Sequence, residues 1–242
     1  MIFRRICRAA FALIAFSSLV AIGARAMPFH DVFIMLDNSG SLTQVNFDAQ
    51  QQAAINMVND YGGNPDNPMR FSIIDFATNV TPVHGFGDSQ AVLDVVAALS
   101  GLTHTGGWTN TDDALSEMLA QFVAELPNGN TTSVVLFADG IPFGLQGAED
   151  VCHHRPAILT RGIDLHVVGH GSGWVNNNGQ VRMDCLVTDM SNILSKPAPL
   201  QYDIADYEFL STTTILAMVE PGTLAVLGLG LVAIGYSRRR TA

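Results

Sequence analysis

The stretch that most constrains this chain is Asp31 to Ser41, DVFIMLDNSGS, where an apolar run stops abruptly in a polar loop. Val32 to Leu36 is short and partly β-branched or aromatic, the composition of a buried strand. The run ends in Asp37, Ser39 and Ser41 at alternate positions, with Gly40 allowing a tight turn between the serines. A loop at the C-terminal end of a strand can aim all three side chains at one point. Hydroxyls with a single carboxylate suit a hard, oxygen-loving cation such as Mg2+. The same residues also describe a polar strand-to-helix loop with an N-capping serine, and both readings stand at this stage.

Helices and strands alternate from there on. Gln44 to Tyr61 carries Phe47, Ala54, Ile55 and Val58 near helical spacing. Arg70 to Phe76 reads as a strand, and Val80 to Val83 as a short strand paired with it. Ser89 to Leu99 and Thr111 to Leu126 read as helices, the second with Leu115, Met118, Leu119, Phe122 and Val123 on one stripe. Ser133 to Phe137 is a strand that stops at Ala138-Asp139-Gly140, and a helix near Glu149 to Leu159 leads to a strand at Asp164 to Val168. The pattern continues with a hairpin around Asn178-Gly179, a helix at Leu186 to Leu194, a strand at Tyr202 to Ala205 and a helix at Tyr207 to Met218. Such alternation predicts an α/β fold, a mostly parallel sheet with helices on both faces, and such sheets bind ligands at the carboxyl ends of their strands. Asp37, Ser39, Ser41, Thr109 and Asp139 would meet at that edge.

These three segments, Asp-x-Ser-x-Ser, the threonine of Gly107-Trp108-Thr109-Asn110-Thr111, and Asp139-Gly140 after an apolar strand, resemble the von Willebrand factor type A domain in kind and in order. The likeness covers about residues 29 to 217. It implies a doubly wound, Rossmann-like sheet with one antiparallel edge strand and a metal-ion-dependent adhesion site, the MIDAS. By that resemblance Ser39, Ser41 and Thr109 supply hydroxyls to Mg2+, Mn2+ or Ca2+, while Asp37 and Asp139 act directly or through water. Trp108 stands where the family usually has a small residue, and the loop after Val168 is longer than is typical. The implied function is adhesion: a protein or polysaccharide partner offers a carboxylate to the metal. A structural role, with the metal merely stabilising the fold, is the alternative.

The ends carry addresses. Arg4, Arg5 and Arg8, an apolar stretch from Ala9 to Ile22 and Ala24-Arg25-Ala26 read as a secretory signal peptide over residues 1–26 rather than as a retained membrane helix, so the mature domain is expected at 27–217. Glu220-Pro221-Gly222, the apolar stretch 223–236 and Arg238 to Arg240 resemble the PEP-CTERM sorting signal of Gram-negative bacteria, which exosortase-type membrane proteases read; Val219 replaces the usual proline. Residues 218–242 would then give a transient membrane anchor and a cell-surface or matrix destination. A plain C-terminal anchor is the other reading of the same segment. Fourteen apolar residues are short against the ~20 of an ordinary span.

Over residues 27–222, five basic residues face 22 acidic ones, a formal charge of −17. That surface repels nucleic acid and anionic lipid. Cys152 and Cys185 are left in an oxidising destination, either bridged or as two thiols. Adjacent His153 and His154 would point apart on a helix and are not expected to form one zinc site. His166 alternates within a strand and reads as structural, whereas His104 and His170 read as loop residues near the site, open to contact with a partner. No nucleophile elbow or base stands beside the carboxylates, so no enzymatic activity is expected.

Overall fold

The computed structural model describes residues 29–65, 67–124, 130–140, 142–144, 147–148, 150–170, 174, 183–187, 189–196 and 200–212. The two terminal segments and most of the predicted hairpin lie outside them. Among the described residues no helix is long and apolar enough to cross a membrane.

The first apolar run is the centre of the molecule. β1 (His30–Asp37) is buried along its whole length. Around it lie α1 (Gln44–Tyr61), β2 (Met69–Phe76), β3 (Val80–His84), α2 (Val92–Ser100), α3 (Thr111–Ala124) and β4 (Thr131–Ala138). A two-residue ladder, β5 (Phe143–Gly144) with β6 (Gly147–Ala148), precedes a 3-10 turn at Val151–His154, α4 (Arg155–Thr160), β7 (Asp164–His170) and β8 (Ile193–Lys196), and the short α5 (Phe209–Thr212) closes the described chain. The six-stranded sheet runs β3-β2-β1-β4-β7-β8. β2 and β4 flank β1 in parallel, β7 and β8 continue in parallel, and β3 alone is antiparallel, at the edge. This is the doubly wound architecture expected from the alternation.

β1 has no polar face because both of its faces are covered. Phe33 and Met35 pack with Ala114, Leu115 and Met118 of α3 on one side. Val32, Ile34 and Leu36 pack with Ala53, Ala54, Met57 and Val58 of α1 on the other, joined by Val95 and Leu99 of α2. Side chains that alternate along a strand thus serve two separate cores. Val123, placed on the apolar stripe of α3 by its spacing, is half exposed instead.

The C-terminal third departs from expectation. The predicted helix at 186–194 is two 3-10 turns, Asp184–Leu186 and Met190–Asn192, and its last residues begin β8. The predicted strand at 202–205 ends in a 3-10 turn, Ile204–Tyr207, capped by Asp203. Cys152 and Cys185 are joined in a disulfide, with Cα atoms 5.5 Å apart, tying the turn before α4 to the turn at Asp184–Leu186.

Gly169 in β7 holds Trp174 against the sheet: a Cβ there would lie 1.8 Å from Trp174 Cε2. Trp174 is buried and donates from Nε1 to Ser195 Oγ at 3.1 Å. Gly169→Ala forces the indole out of its seat, with an expected loss of about 3 kcal/mol, the upper range of overpacking. Urea unfolding midpoints of the two proteins measure it, and an unchanged midpoint would refute this packing.

Candidate metal centre

The C-terminal edge of the central strands gathers four of the five predicted residues into one chain of contacts. β1 delivers Asp37 and β4 delivers Asp139 as neighbours across the sheet; the loop after β1 adds Ser39 and Ser41. Ser39 N donates to Asp37 Oδ1 at 2.9 Å, which folds the loop back over the strand end. Ser39 Oγ and Ser41 Oγ are 2.9 Å apart, and Ser41 Oγ donates to Asp139 Oδ1 at 2.8 Å. Asp139 N lies 3.4 Å from Asp37 Oδ2. Asp37 and Ser39 have no exposed surface, and Asp139 has 3 %.

Thr109 arrives with a second loop. Gly40 N donates to Gly107 O at 2.9 Å, and a Cβ on Gly40 would sit 3.2 Å from Gly107 N, so a side chain there would push the two loops apart by a few tenths of an ångström. Gly107 adopts φ 120°, where L side chains are strained, and a Cβ there would meet Thr78 Oγ1 at 2.4 Å. Thr109, two residues on, is buried beside this junction.

The loops are stitched by residues that the sequence motif does not name. Asn38 donates to Asp75 Oδ2 and to Thr103 O, each at 3.0 Å, and accepts from Thr105 N at 2.8 Å. His104 donates from Nε2 to Ser39 O at 3.0 Å while stacking on Phe47. Gln50 of α1 donates to Asp37 O and meets His170 Nε2 at 3.3 Å. His170 therefore ends β7 as a fully buried support, not as a loop residue open to a partner. His166 is structural as expected, stacked on Phe209 with ring centroids 3.4 Å apart. A polar residue inside an apolar helical stripe, as Gln50 is, is the one signal that could have exposed this layer.

Electrostatically the edge is under-compensated. Burial, then the neighbouring Asp139 charge, pushes the Asp37 carboxyl up to about 7. Burial likewise raises Asp139. The groups that donate to these carboxylates are backbone amides and a serine hydroxyl, all neutral. Two buried acids among hydroxyls, with no cationic donor in the chain of contacts, fit a hard divalent cation bound through oxygen. Asp37, Ser39, Ser41 and Asp139 are in place to hold it, and Thr109 lies in the adjoining loop. Trp108 stands 44 % exposed beside that loop.

A von Willebrand factor type A domain is matched over residues 31–196. Among solved structures, the fold is similar to that of proximal thread matrix protein 1 from the mussel byssus, crystal form 2, at 16% identity and TM-score 0.61, over 78% of this chain and 48% of that one. A form of the same mussel protein with a zinc-occupied MIDAS motif is similar at 18% identity and TM-score 0.59, over 78% and 47%. The chain thus spans about half the length of these structures, and the likeness is one of fold. No curated protein matches the sequence.

Proposed function

The chain belongs to the von Willebrand factor type A domain family, and on that premise we propose that it is an exported adhesion protein whose MIDAS binds a carboxylate of its partner through a divalent cation. The observation that carries this reading is the contact chain Asp37–Ser39–Ser41–Asp139, with two buried acids and only neutral donors around them. Hydroxyl ligands leave the cation electrophilic, so that a partner carboxylate completes its coordination. Mg2+ is the natural occupant, with Mn2+ or Ca2+ as substitutes; the zinc-occupied neighbour supports a divalent site in this position. The chain's own residues orient the cation and exclude water beneath it, and the exposed Trp108 gives a partner an apolar rim to rest on. The reading is non-enzymatic: the residues around the carboxylates are donors and positioners, not nucleophiles.

Export and delivery belong to the same proposal. Residues 1–26 act as a signal peptide, and 218–242 act as a PEP-CTERM-like tail removed by an exosortase-type protease of a Gram-negative host. Matrix-protein neighbours support an extracellular setting. Intact mass of the secreted protein is expected to show a start near Met27 and no Arg238 to Arg240. A retained arginine tail would refute sorting and leave a plain anchor.

Immobilised protein probed with polyglutamate and with alginate, as carboxylate-bearing polypeptide and polysaccharide, tests the adhesion reading. Retention in Mg2+ and release by chelator, with the fold intact by circular dichroism, is the expected result. Retention that ignores chelator, or none in Mg2+, assigns the metal to the fold alone, the structural-matrix alternative.

A further inference from the structure

A second group of ligating side chains lies outside the MIDAS. Asp112, in the first turn of α3, His153 and His154 place one ligand atom each within 4.8 Å of the others. His154 Nε2 is 2.8 Å and His153 Nε2 is 3.2 Å from the same carboxylate oxygen, Asp112 Oδ1. The expectation that adjacent histidines diverge is thereby corrected. The pair closes the 3-10 turn, with His154 as the N-cap of α4, their rings tilt together with centroids 4.0 Å apart, and α3 presents the shared partner.

Its hydrogen-bond partners fix the tautomer of His153. Its Nδ1 lies 2.7 Å from the backbone carbonyl of Asp150, a group that can only accept, so Nδ1 bears the hydrogen. In the neutral ring Nε2 is then a lone pair, and it faces a carboxylate oxygen, another lone pair. Two acceptors at this distance need a cation between them, either a second proton or a metal ion. A ring N–H fixed on a backbone carbonyl, with the other nitrogen presented outward, is the outer-shell arrangement of a metal-ligating histidine.

We propose that Asp112, His153 and His154 form a second metal site, selective for a borderline transition-metal ion of the Zn2+ class. Two imidazoles and one carboxylate favour such ions over Mg2+ or Ca2+, which take oxygen. Donors about 2.1 Å from one tetrahedral ion stand about 3.4 Å apart, close to the observed 2.8 and 3.2 Å, so that small side-chain movements admit the ion. The site is braced on one side and open on the other. His154 is buried, and the Cys152–Cys185 bridge anchors the turn, while the His153 side chain is 58% exposed and leaves an entry and a free coordination position. No ligand is shared with the MIDAS.

Co2+ titration of the chelator-stripped full chain in excess Mg2+, followed by visible absorption, tests the site. One equivalent of Co2+ should bind despite Mg2+, displaceable by Zn2+, and Asp37→Asn should bind it equally well. His153→Ala and Asp112→Asn should each weaken it by at least about tenfold. Both should keep the Mg2+-induced rise in melting temperature, which shows an intact fold and MIDAS. Wild-type Co2+ affinity in His153→Ala overturns the proposal. So does Co2+ that is excluded by Mg2+ or lost in Asp37→Asn, because the ion was then in the MIDAS. The Co2+ result is independent of partner binding, so its failure and that of the adhesion reading are told apart.

Discussion

Asp37→Asn is expected to abolish the stabilisation that wild type gains from Mg2+ while leaving the metal-free protein more stable at pH 8. Asparagine keeps an oxygen for the amide of Ser39, which donates to Asp37 Oδ1 at 2.9 Å, and removes the charge that burial and Asp139 oppose. A fully buried carboxyl pushed up to about 7 is held ionised at pH 8 against its surroundings. Replacing it by a neutral isostere should return on the order of a few kcal/mol to the metal-free fold. On the proposed ligand set, the same replacement takes from the cation its deepest anionic ligand, leaving hydroxyls and Asp139. At a Mg2+ concentration 100 times the wild-type dissociation constant, wild type gains about 2.7 kcal/mol, and the variant should gain almost nothing. Thermal melts of both proteins, with chelator and with Mg2+, read the two effects separately. A variant that keeps the full Mg2+ increment would remove Asp37 from the ligand set. A variant less stable than wild type without metal would show that Asp37 supports the fold through its hydrogen bonds more than its charge strains it.

The sequence is legible where one physical requirement dominates. β1 had to be buried on both faces because Val32 to Leu36 offers no polar alternation, and its neighbours β2, β4 and β7 show the same pressure. The candidate ligand loop is legible because Asp37, Ser39 and Ser41 recur at alternate positions around a glycine whose missing side chain admits Gly107. The region after β7 is not, because its elements are 3-10 turns too short for any periodicity to accumulate. Asp189 and Asp203 cap two of them, a side-chain signal that can be read only once the turn is known. Contacts between distant segments are illegible for another reason: nothing local to Asp112 announces that His153 and His154 lie opposite it. Asn38, Gln50 and His104 hold the ligand loops through backbone groups, and a backbone carbonyl leaves no mark in sequence.

The last expectation is that Mg2+ affinity climbs steeply from pH 5 to about 7 and then levels, and that the metal-free fold shows the opposite trend once its histidines are accounted for. Asp37 is raised from 3.8 to about 7, so between those values the native state holds a proton that the unfolded chain has released. The state with more bound protons loses ground as pH rises, so this carboxyl makes the metal-free protein less stable from pH 4 to 7. Asp139, raised by burial, acts in the same direction. His170 acts against them: burial lowers it from 6.5 to about 4, the native ring stays neutral where the unfolded ring is charged, and stability rises with pH over that interval. His30, also lowered chiefly by burial, adds to the rise. Opposed slopes make the raw pH profile of wild type uninformative below about 6.5. Subtracting the profile of Asp37→Asn cancels the histidines, and the difference should widen steadily in favour of the variant from pH 4 to about 7. Mg2+ must displace the same protons to bind, so its affinity should follow the same window with the opposite sign. Denaturant unfolding of both proteins at half-unit pH steps, beside calorimetric Mg2+ titration of wild type, measures both curves. A difference that stays flat across the window, or a Mg2+ affinity independent of pH, would mean that Asp37 is ionised at its ordinary value and that the two carboxylates do not strain one another.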